Sequence, residues 1–460
     1  MLLTHRTTHG KGTSEMNNRH RRPPLSVTTG AKNVAAHAGA RLLMDLADDV
    51  GLSGALSVAL APTKARRRGH DRGQVLVDLA VGLADGATAI TDVARTFGPQ
   101  PELFGPIAST ATTWRMLGAI DDAALERIAT ARAQARREAW AAGADPRFYV
   151  IDIDATLIES HSEKDQAAPN YKHSFGFHPL LAYLDATGEP LAAILRPGNA
   201  GSGTGADHVE ILDAALAQLP VDPRQKEMIV RADSAGCSHE FLEAASARGV
   251  FFFVGHRLDP AMVRAIGKVP ESAWSCAISA DGTEDADWAA VAELSDYLDL
   301  SGWPEGTRAL VRREEAHPGA QLSFTDVDGH RYQVFLTDHD SFDLAFLEGV
   351  YRGRGRAECA IRDSKDTGLA NLPSSDFGIN QAWVTAVLIA GDLMAWTKAN
   401  LLRGELAKAT PRRLRYALFH AAGQLVRSGR RTTLRIAQGW AWADELVAAW
   451  GRLPSWRLTR

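Results

Sequence analysis

The sequence predicts an α/β protein in which a strand-rich core is interrupted by a β-rich insertion and flanked by a helical N-terminal domain and a helical C-terminal region. Three observations lead there. Apolar residues recur at three-and-four spacing from about Val34 to Arg137, the helical period. At Phe148 the pattern changes to short apolar runs separated by Gly, Pro and Asn, which read as strands and turns. From Phe342 the helical spacing returns.

At 460 residues the chain exceeds what one hydrophobic core organises, so several domains are expected. Its 45% hydrophobic and 23% charged residues are ordinary for a globular protein. A net charge of −4 excludes a uniformly basic nucleic-acid binder, so any basic surface must be local. Cys237, Cys276 and Cys359 stand far apart, which fits neither a disulfide framework nor a zinc site. The basic N-terminus has no apolar h-region, and the apolar stretch Trp383 to Trp396 is interrupted by Asp392 and falls short of a bilayer span. These features lead us to expect a soluble protein of the cytoplasm, not associated with a membrane.

Residues 1–25, with five basic residues against Glu15, read as a disordered basic arm. Residues 26–145 read as a helical domain, as in Ala40 to Ala47 and Val75 to Leu83, with a basic loop at Lys64 to Arg68 and a helix carrying Arg132, Arg136 and Arg137. Each basic cluster fits a solvated face better than a phosphate site.

Residues 146–255 hold predicted strands at 148–154, 173–183, 190–196, 227–233 and 250–254, with helices at 208–219 and 239–247. Three strands followed by alternating helix and strand is the order of a ribonuclease-H-like core. The β-rich insertion spans 256–340 and includes a hairpin over Gln321 to Phe335 turning at Asp328-Gly329. The core resumes over 341–375, and residues 376–460 form a basic helical region rich in arginine.

The segment Tyr351 to Lys365 carries the most specific local signal. Tyr351, Arg354, Glu358 and Lys365 are separated by three, four and seven residues, which puts them on one helix face, with Arg362 close to it. A hydroxyl, a guanidinium and an ammonium around one carboxylate suit a DNA phosphate held beside a metal ligand better than a core stripe. Gly353 and Gly355 weaken the first turn, so the face is expected to be regular from about Arg356. Two aspartates, Asp154 and Asp233, end apolar strands of the same core and so stand at the sheet edge.

The spacing Tyr-x2-Arg-x3-Glu-x6-Lys resembles the signature of DDE transposases of the insertion-sequence 4 group. His70 to Ala80, Pro101 to Pro106, Leu195 to Asn199 and Arg231 to Gly236 also resemble the 1380 family of bacterial insertion-sequence transposases, over about residues 30–450. The resemblance implies a DNA transposase and endonuclease acting on terminal inverted repeats and target double-stranded DNA, by Mg²⁺-dependent strand cleavage and strand transfer. Its catalytic acids would be Asp154, Asp233 and Glu358. They would hold two Mg²⁺ ions, with Mn²⁺ as a substitute; Asp154 would bridge the metals, and the other two acids would each complete one coordination shell. Two ions roughly 4 Å apart stabilise both the attacking and the leaving oxygen of an in-line displacement. Tyr351, Arg354, Arg362 and Lys365 would position phosphates, with Arg231 as a weaker candidate. Bringing two element ends together implies a homodimer on DNA, with residues 26–145 binding the ends.

Two rival readings stand beside this one. Val150 to Leu157 also resembles the DxDxT motif of haloacid-dehalogenase-type phosphatases, with Asp152 as nucleophile and Asp154 as acid/base. A DNA-binding transposase relative that has lost catalysis is the other. His173, His178, His208, His239 and His256 lack metal-site spacing and read as packing or surface residues. Trp274 and Trp288 read as core fillers before base-stacking platforms.

Overall fold

The computed structural model describes residues 28–64, 69–160, 163–201, 204–279, 285–315, 326–327 and 329–453. The basic arm over 1–25, most of the Lys64 to Arg68 loop, and Asp328 with residues 321–325 of the expected hairpin lie outside the described residues.

The N-terminal region is helical, and two of its helices organise the rest. α1 (Arg72–Asp85) starts where the Asp71 side chain accepts the Gln74 backbone N–H at 2.9 Å, and it is buried along its whole length after Arg72 and Gln74. α2 (Asp122–Ala139) is capped in the same way by Asp121.

The sheet begins with β1 (Tyr149–Ala155), β2 (Leu180–Leu184) and β3 (Glu189–Ile194), an antiparallel meander. After α3 (Gly205–Leu216) the chain returns as β4 (Met228–Ala232), parallel to β1. After α4 (His239–Ala247) it adds β5 (Phe251–His256), parallel to β4. The order β3-β2-β1-β4-β5, antiparallel on one side and parallel on the other, is the ribonuclease-H-like arrangement expected from the strand pattern. β4 is buried on both faces, which explains its near-continuous apolar run.

The insertion does not form a separate sheet. β6 (Ser275–Ile278), β7 (Asp285–Glu293), β8 (Arg308–Glu315) and β9 (His330–Thr337) extend the core sheet in the order β6-β7-β8-β9-β5, all antiparallel. Part of the expected hairpin is present, with Asp326–Val327 paired to His330 and Arg331 and Gly329 at a left-handed φ of 81°. The principal partner of β9 is nevertheless β8, which the sequence reading did not anticipate.

Helices α5 (Leu344–Arg352) and α6 (Arg356–Ser364) follow, joined by a 3₁₀ turn over Gly353–Gly355. The interruption falls at the two glycines, as their helix propensity predicts.

α7 (Phe377–Trp396) is the central apolar helix and packs on α1 and β3. Continued to Leu401, it is long and apolar enough to cross a membrane by length and composition, although 72% of its most apolar window is buried inside the protein. Its Asp392, fully buried, is held by Arg132 at 2.8 Å and by Arg136 at 2.5 Å. Arg136 also bonds Glu189 at 2.6 Å, and the Trp140 and Trp396 indoles donate to the same carboxylate. Arg132 and Arg136 are therefore not a solvated face: they occupy the core between α2, β3 and α7, where a charge persists only because each is paired.

The C-terminal region is helical apart from a hairpin, β10 (Gly423–Ser428) with β11 (Arg431–Ile436). Val34–Ala35 adds a short third strand to it.

Candidate active site

Because β1 and β4 are parallel neighbours, their C-terminal ends reach the same edge of the sheet. The last paired residues are Ile153 and Ala232, so Asp154 and Asp233 follow side by side. Asp233 leaves the strand and caps a 3₁₀ turn, accepting the Ala235 N–H at 2.9 Å. Asp154 accepts the Ala155 N–H at 2.8 Å.

Helix α6 brings the third acid. Glu358 lies in its first turn and is exposed. Burial pushes the Asp154 carboxyl up to about 6, the Arg354 guanidinium opposes this, and the charges of Asp233 and Glu358 raise it further. Arg354 Nη1 stands 3.5 Å from Asp154 Oδ2. The structure thus brings Asp154, Asp233, Glu358 and Arg354 into one electrostatic neighbourhood.

Tyr351 completes it from α5. Its ring is buried and stacks on Phe335 at 4.5 Å, and its hydroxyl interacts with the Arg354 guanidinium and with the charge of Asp233. A Cβ at Gly255 would lie 2.4 Å from that hydroxyl, so β5 needs a glycine there. His178 and His208 are buried beside Asp233, and burial pushes both rings below their ordinary value, leaving them neutral at pH 7. Their reading as packing residues agrees with this burial.

Arg231 is the principal correction. It is 1% exposed and gives Asp152 two hydrogen bonds of 2.7 Å, a third of 2.7 Å to the Val350 carbonyl, and a contact of 3.2 Å to Asp185. No surface remains for a DNA phosphate. Arg356 in turn bonds Asp185 at 2.6 and 2.5 Å. This chain of charges ties β1 and β4, which carry the aspartates, to the end of α5 and the start of α6, which carry Tyr351 and Glu358. Gly353 permits it, because a Cβ there would lie 2.3 Å from Arg231 Nη1. The same contacts remove Asp152 as a phosphatase nucleophile, since both its oxygens are bonded and it is 1% exposed.

Lys365 and Arg362 take different positions from Arg354. The Lys365 ammonium donates to the Leu157 carbonyl at 3.0 Å and lines a cavity of about 460 Å³ with Glu159, Lys172 and Ser174. Lys172 was not singled out from sequence, because it sits in a loop with no motif around it. Arg362 is exposed beside Asp363. In the insertion, Arg313 covers the Trp274 ring at 4.3 Å, while Trp288 is 53% exposed with Arg312 at 5.2 Å from its ring. A cavity of about 1150 Å³ lies behind α6 against Arg356, Asp363 and Lys398 and includes none of the three acids.

Three carboxylates suit a hard cation, which takes oxygen ligands. A divalent ion would also relieve the mutual repulsion that raises Asp154. Among the described residues, the group of His, Cys, Asp and Glu whose ligand atoms all lie within 4.8 Å is His37, Asp85 and His420, and it excludes the three acids. Oxygens around one Mg²⁺ at roughly 2.1 Å stand no more than about 4.2 Å apart, so a single ion does not span Asp154, Asp233 and Glu358 as placed. The His37 group could itself coordinate a metal. His37 Nδ1 is 2.7 Å from Asp85 Oδ2 and His420 Nε2 is 3.5 Å from Asp85 Oδ1.

The family model described as Transposase DDE domain group 1 matches residues 17–458. No curated protein matches the chain. Among solved structures, a cryo-EM structure of the piggyBac transposase synaptic complex with hairpin DNA is similar at a TM-score of 0.43 and 7% identity, over 83% of this chain and 80% of that one. With nearly its whole length matched, the chain belongs to the transposase DDE domain family, enzymes that act on DNA.

Proposed function

We propose that the protein is a cut-and-paste transposase of the insertion-sequence 1380 type, which binds the terminal inverted repeats of its element, cleaves at their ends and joins them to target DNA. The observation that carries this reading is the gathering of Asp154, Asp233 and Glu358, with Arg354, at the edge where β1 and β4 end.

Two in-line displacements at phosphorus make up the reaction. Water replaces the 3′-oxygen at the element end, and the oxygen leaves as a 3′-hydroxyl. That hydroxyl then displaces a 3′-oxygen in the target strand, conserving the number of phosphodiester bonds. Asp154, Asp233 and Glu358 would together hold two Mg²⁺ ions. When bound, these ions would stabilise negative charge on the attacking and leaving oxygens.

The protein's own groups do the positioning. Arg354, held against Asp154, presents its guanidinium to a non-bridging phosphate oxygen. Tyr351 fixes Arg354 from the buried side, and exposed Arg362 reaches the neighbouring phosphate on the strand. Lys365 and Lys172, around their own cavity, would take a phosphate further along. The Asp152–Arg231–Asp185–Arg356 chain keeps Glu358 in register with the aspartates. Two copies would act on two paired ends.

The test is Mg²⁺-dependent nicking and joining of the element's terminal-repeat DNA by wild type and by Glu358→Gln. Wild-type activity and its loss in the variant are expected. Binding of the repeats by wild type without nicking in Mg²⁺ or Mn²⁺ would instead establish the inactive-relative reading.

A further inference from the structure

Between Glu405 and Asp444 the sequence contains no acidic residue, where the chain's 55 acids in 460 residues would put about four or five, and it carries eight Lys or Arg. In a protein of net charge −4 this is the kind of local basic surface that whole-chain charge conceals.

Some of these cations are engaged. Arg412 pairs with Asp366 at 2.8 Å, Arg415 donates to the Ala84 carbonyl at 2.9 Å, and Arg413 lies over the Trp442 ring at 4.7 Å. Arg427, Arg430, Arg431 and Arg435 differ. All four are exposed on the β10–β11 hairpin, and among the described residues none of their guanidinium groups has a hydrogen bond or ion pair.

The hairpin is built to project them. Ser428 pairs with Arg431 across a two-residue loop in which Gly429 has φ 60° and Arg430 does not, the pattern of a tight II′ turn whose twist suits the strands. Leu425 faces Leu434 and Gly423 faces Ile436, and the Leu425, Leu434 and Ile436 side chains are half-buried against the core. The opposite face pairs Gln424 with Arg435, Val426 with Thr433 and Ser428 with Arg431. Arg431 and Arg435 thus share the outer face about 13 Å apart, roughly four base steps along a duplex; Arg430 lies in the turn, and Arg427, opposite Thr432, is exposed on the other face beside the tip. Val34–Ala35 pairs with the base of β10 and leaves the arginine-bearing tip beyond it.

We propose that this ribbon is a docking surface for double-stranded DNA, which its unpaired arginines hold by phosphates while Gln424, Ser428 and Thr433 add neutral hydrogen bonds. A two-stranded ribbon fits the major groove, and arginine, glutamine, serine and threonine are the side chains that contact DNA backbone. The choice of DNA as occupant rests on the transposase reading; the surface itself rests on charge and exposure.

The experiment is fluorescence anisotropy of a labelled 30-base-pair duplex with the full-length protein between 50 and 200 mM KCl. Wild type is compared with the quadruple variant Arg427→Ala, Arg430→Ala, Arg431→Ala, Arg435→Ala and with its fourfold Lys counterpart. Each phosphate contact contributes about 0.9 to the slope of log K against log salt. The Ala variant is expected to lose roughly 2 to 4 from that slope and at least about tenfold in affinity at 100 mM, with its melting temperature unchanged; the Lys variant recovers most of the slope. Equal affinity and slope in wild type and the Ala variant overturn the proposal, as does absence of duplex binding by wild type. Competition by poly-glutamate as effective as that by unlabelled duplex overturns DNA as the occupant. Failure of the transposase reading appears elsewhere, as absent Mg²⁺-dependent nicking, so the two failures are separable.

Discussion

Removing the Asp152 carboxylate tests how the site is assembled. Asp152→Ala breaks two hydrogen bonds of 2.7 Å and leaves the fully buried Arg231 with only Asp185, at 3.2 Å, as a counter-charge. Stranding one partner of a buried pair costs about 3–5 kcal/mol. Because Asp185 and the Val350 carbonyl remain, the lower end, about 3 kcal/mol, is expected. Replacing both partners, Asp152→Ala with Arg231→Met, removes the stranded charge, so the double variant should be more stable than the sum of the single losses by about 2 kcal/mol. Urea unfolding followed by tryptophan fluorescence reads these differences. Nicking should fall in Asp152→Ala, in Arg231→Met and in the double variant, because the link that Arg231 makes from β1 to the end of α5 is weakened or lost. A single variant within about 0.5 kcal/mol of wild type would refute the pairing argument. Undiminished stability with complete loss of chemistry would give Asp152 a direct role at the phosphate.

Further outcomes follow from other groups. Burial of Asp78, opposed by a 3.0 Å hydrogen bond from Gln74, raises its carboxyl to about 7. The folded protein therefore binds this proton more tightly than the unfolded chain, and the stability present below pH 4 falls as pH rises through 7. Asp78→Asn should flatten that loss, which amounts to at most about 4 kcal/mol; thermal melts at pH 5 and 8 that shift equally in wild type and variant would contradict it. Gly353→Ala, whose Cβ would meet Arg231 Nη1 at 2.3 Å, should destabilise by about 1–3 kcal/mol through displacement of the guanidinium. A wild-type melting temperature would show that the close approach is dispensable. Asp392→Ala strands Arg132 in the core, leaves Arg136 with Glu189 as its only carboxylate, and should leave little folded protein at 37 °C, measured as the soluble fraction and circular dichroism, whereas full recovery of folded protein would refute the role assigned to Asp392.

The strands and the candidate acids were legible where local pattern and global position coincide. Val150 to Asp154 and Ile229 to Asp233 each read as an apolar strand ended by a carboxylate, and the sheet places those ends together. Glu358 was legible from the spacing around it. Arginine was not, because its sequence signature is the same whether its guanidinium faces a phosphate or a buried carboxylate. Arg231, Arg132 and Arg136 find carboxylates distant in sequence, and only the packing reveals them. Strand β8 was missed because Arg308, Arg312 and Arg313 mask its alternation, although Arg308 and Arg312 meet Glu293 and Glu348. The same masking hid the hairpin at Gly423–Ile436, whose Ser428-Gly429-Arg430 turn was the available signal.

The central claim is that Asp154, Asp233 and Glu358 carry metal-dependent DNA chemistry, and Asp233→Asn tests it most directly, since the change removes one charge and almost no volume. Wild-type and variant protein would be incubated with duplex terminal-repeat DNA and Mg²⁺, and the released 3′ ends resolved on a denaturing gel. The account predicts nicking at the element end by wild type and none above background by the variant. Equal nicking by the two proteins would contradict it.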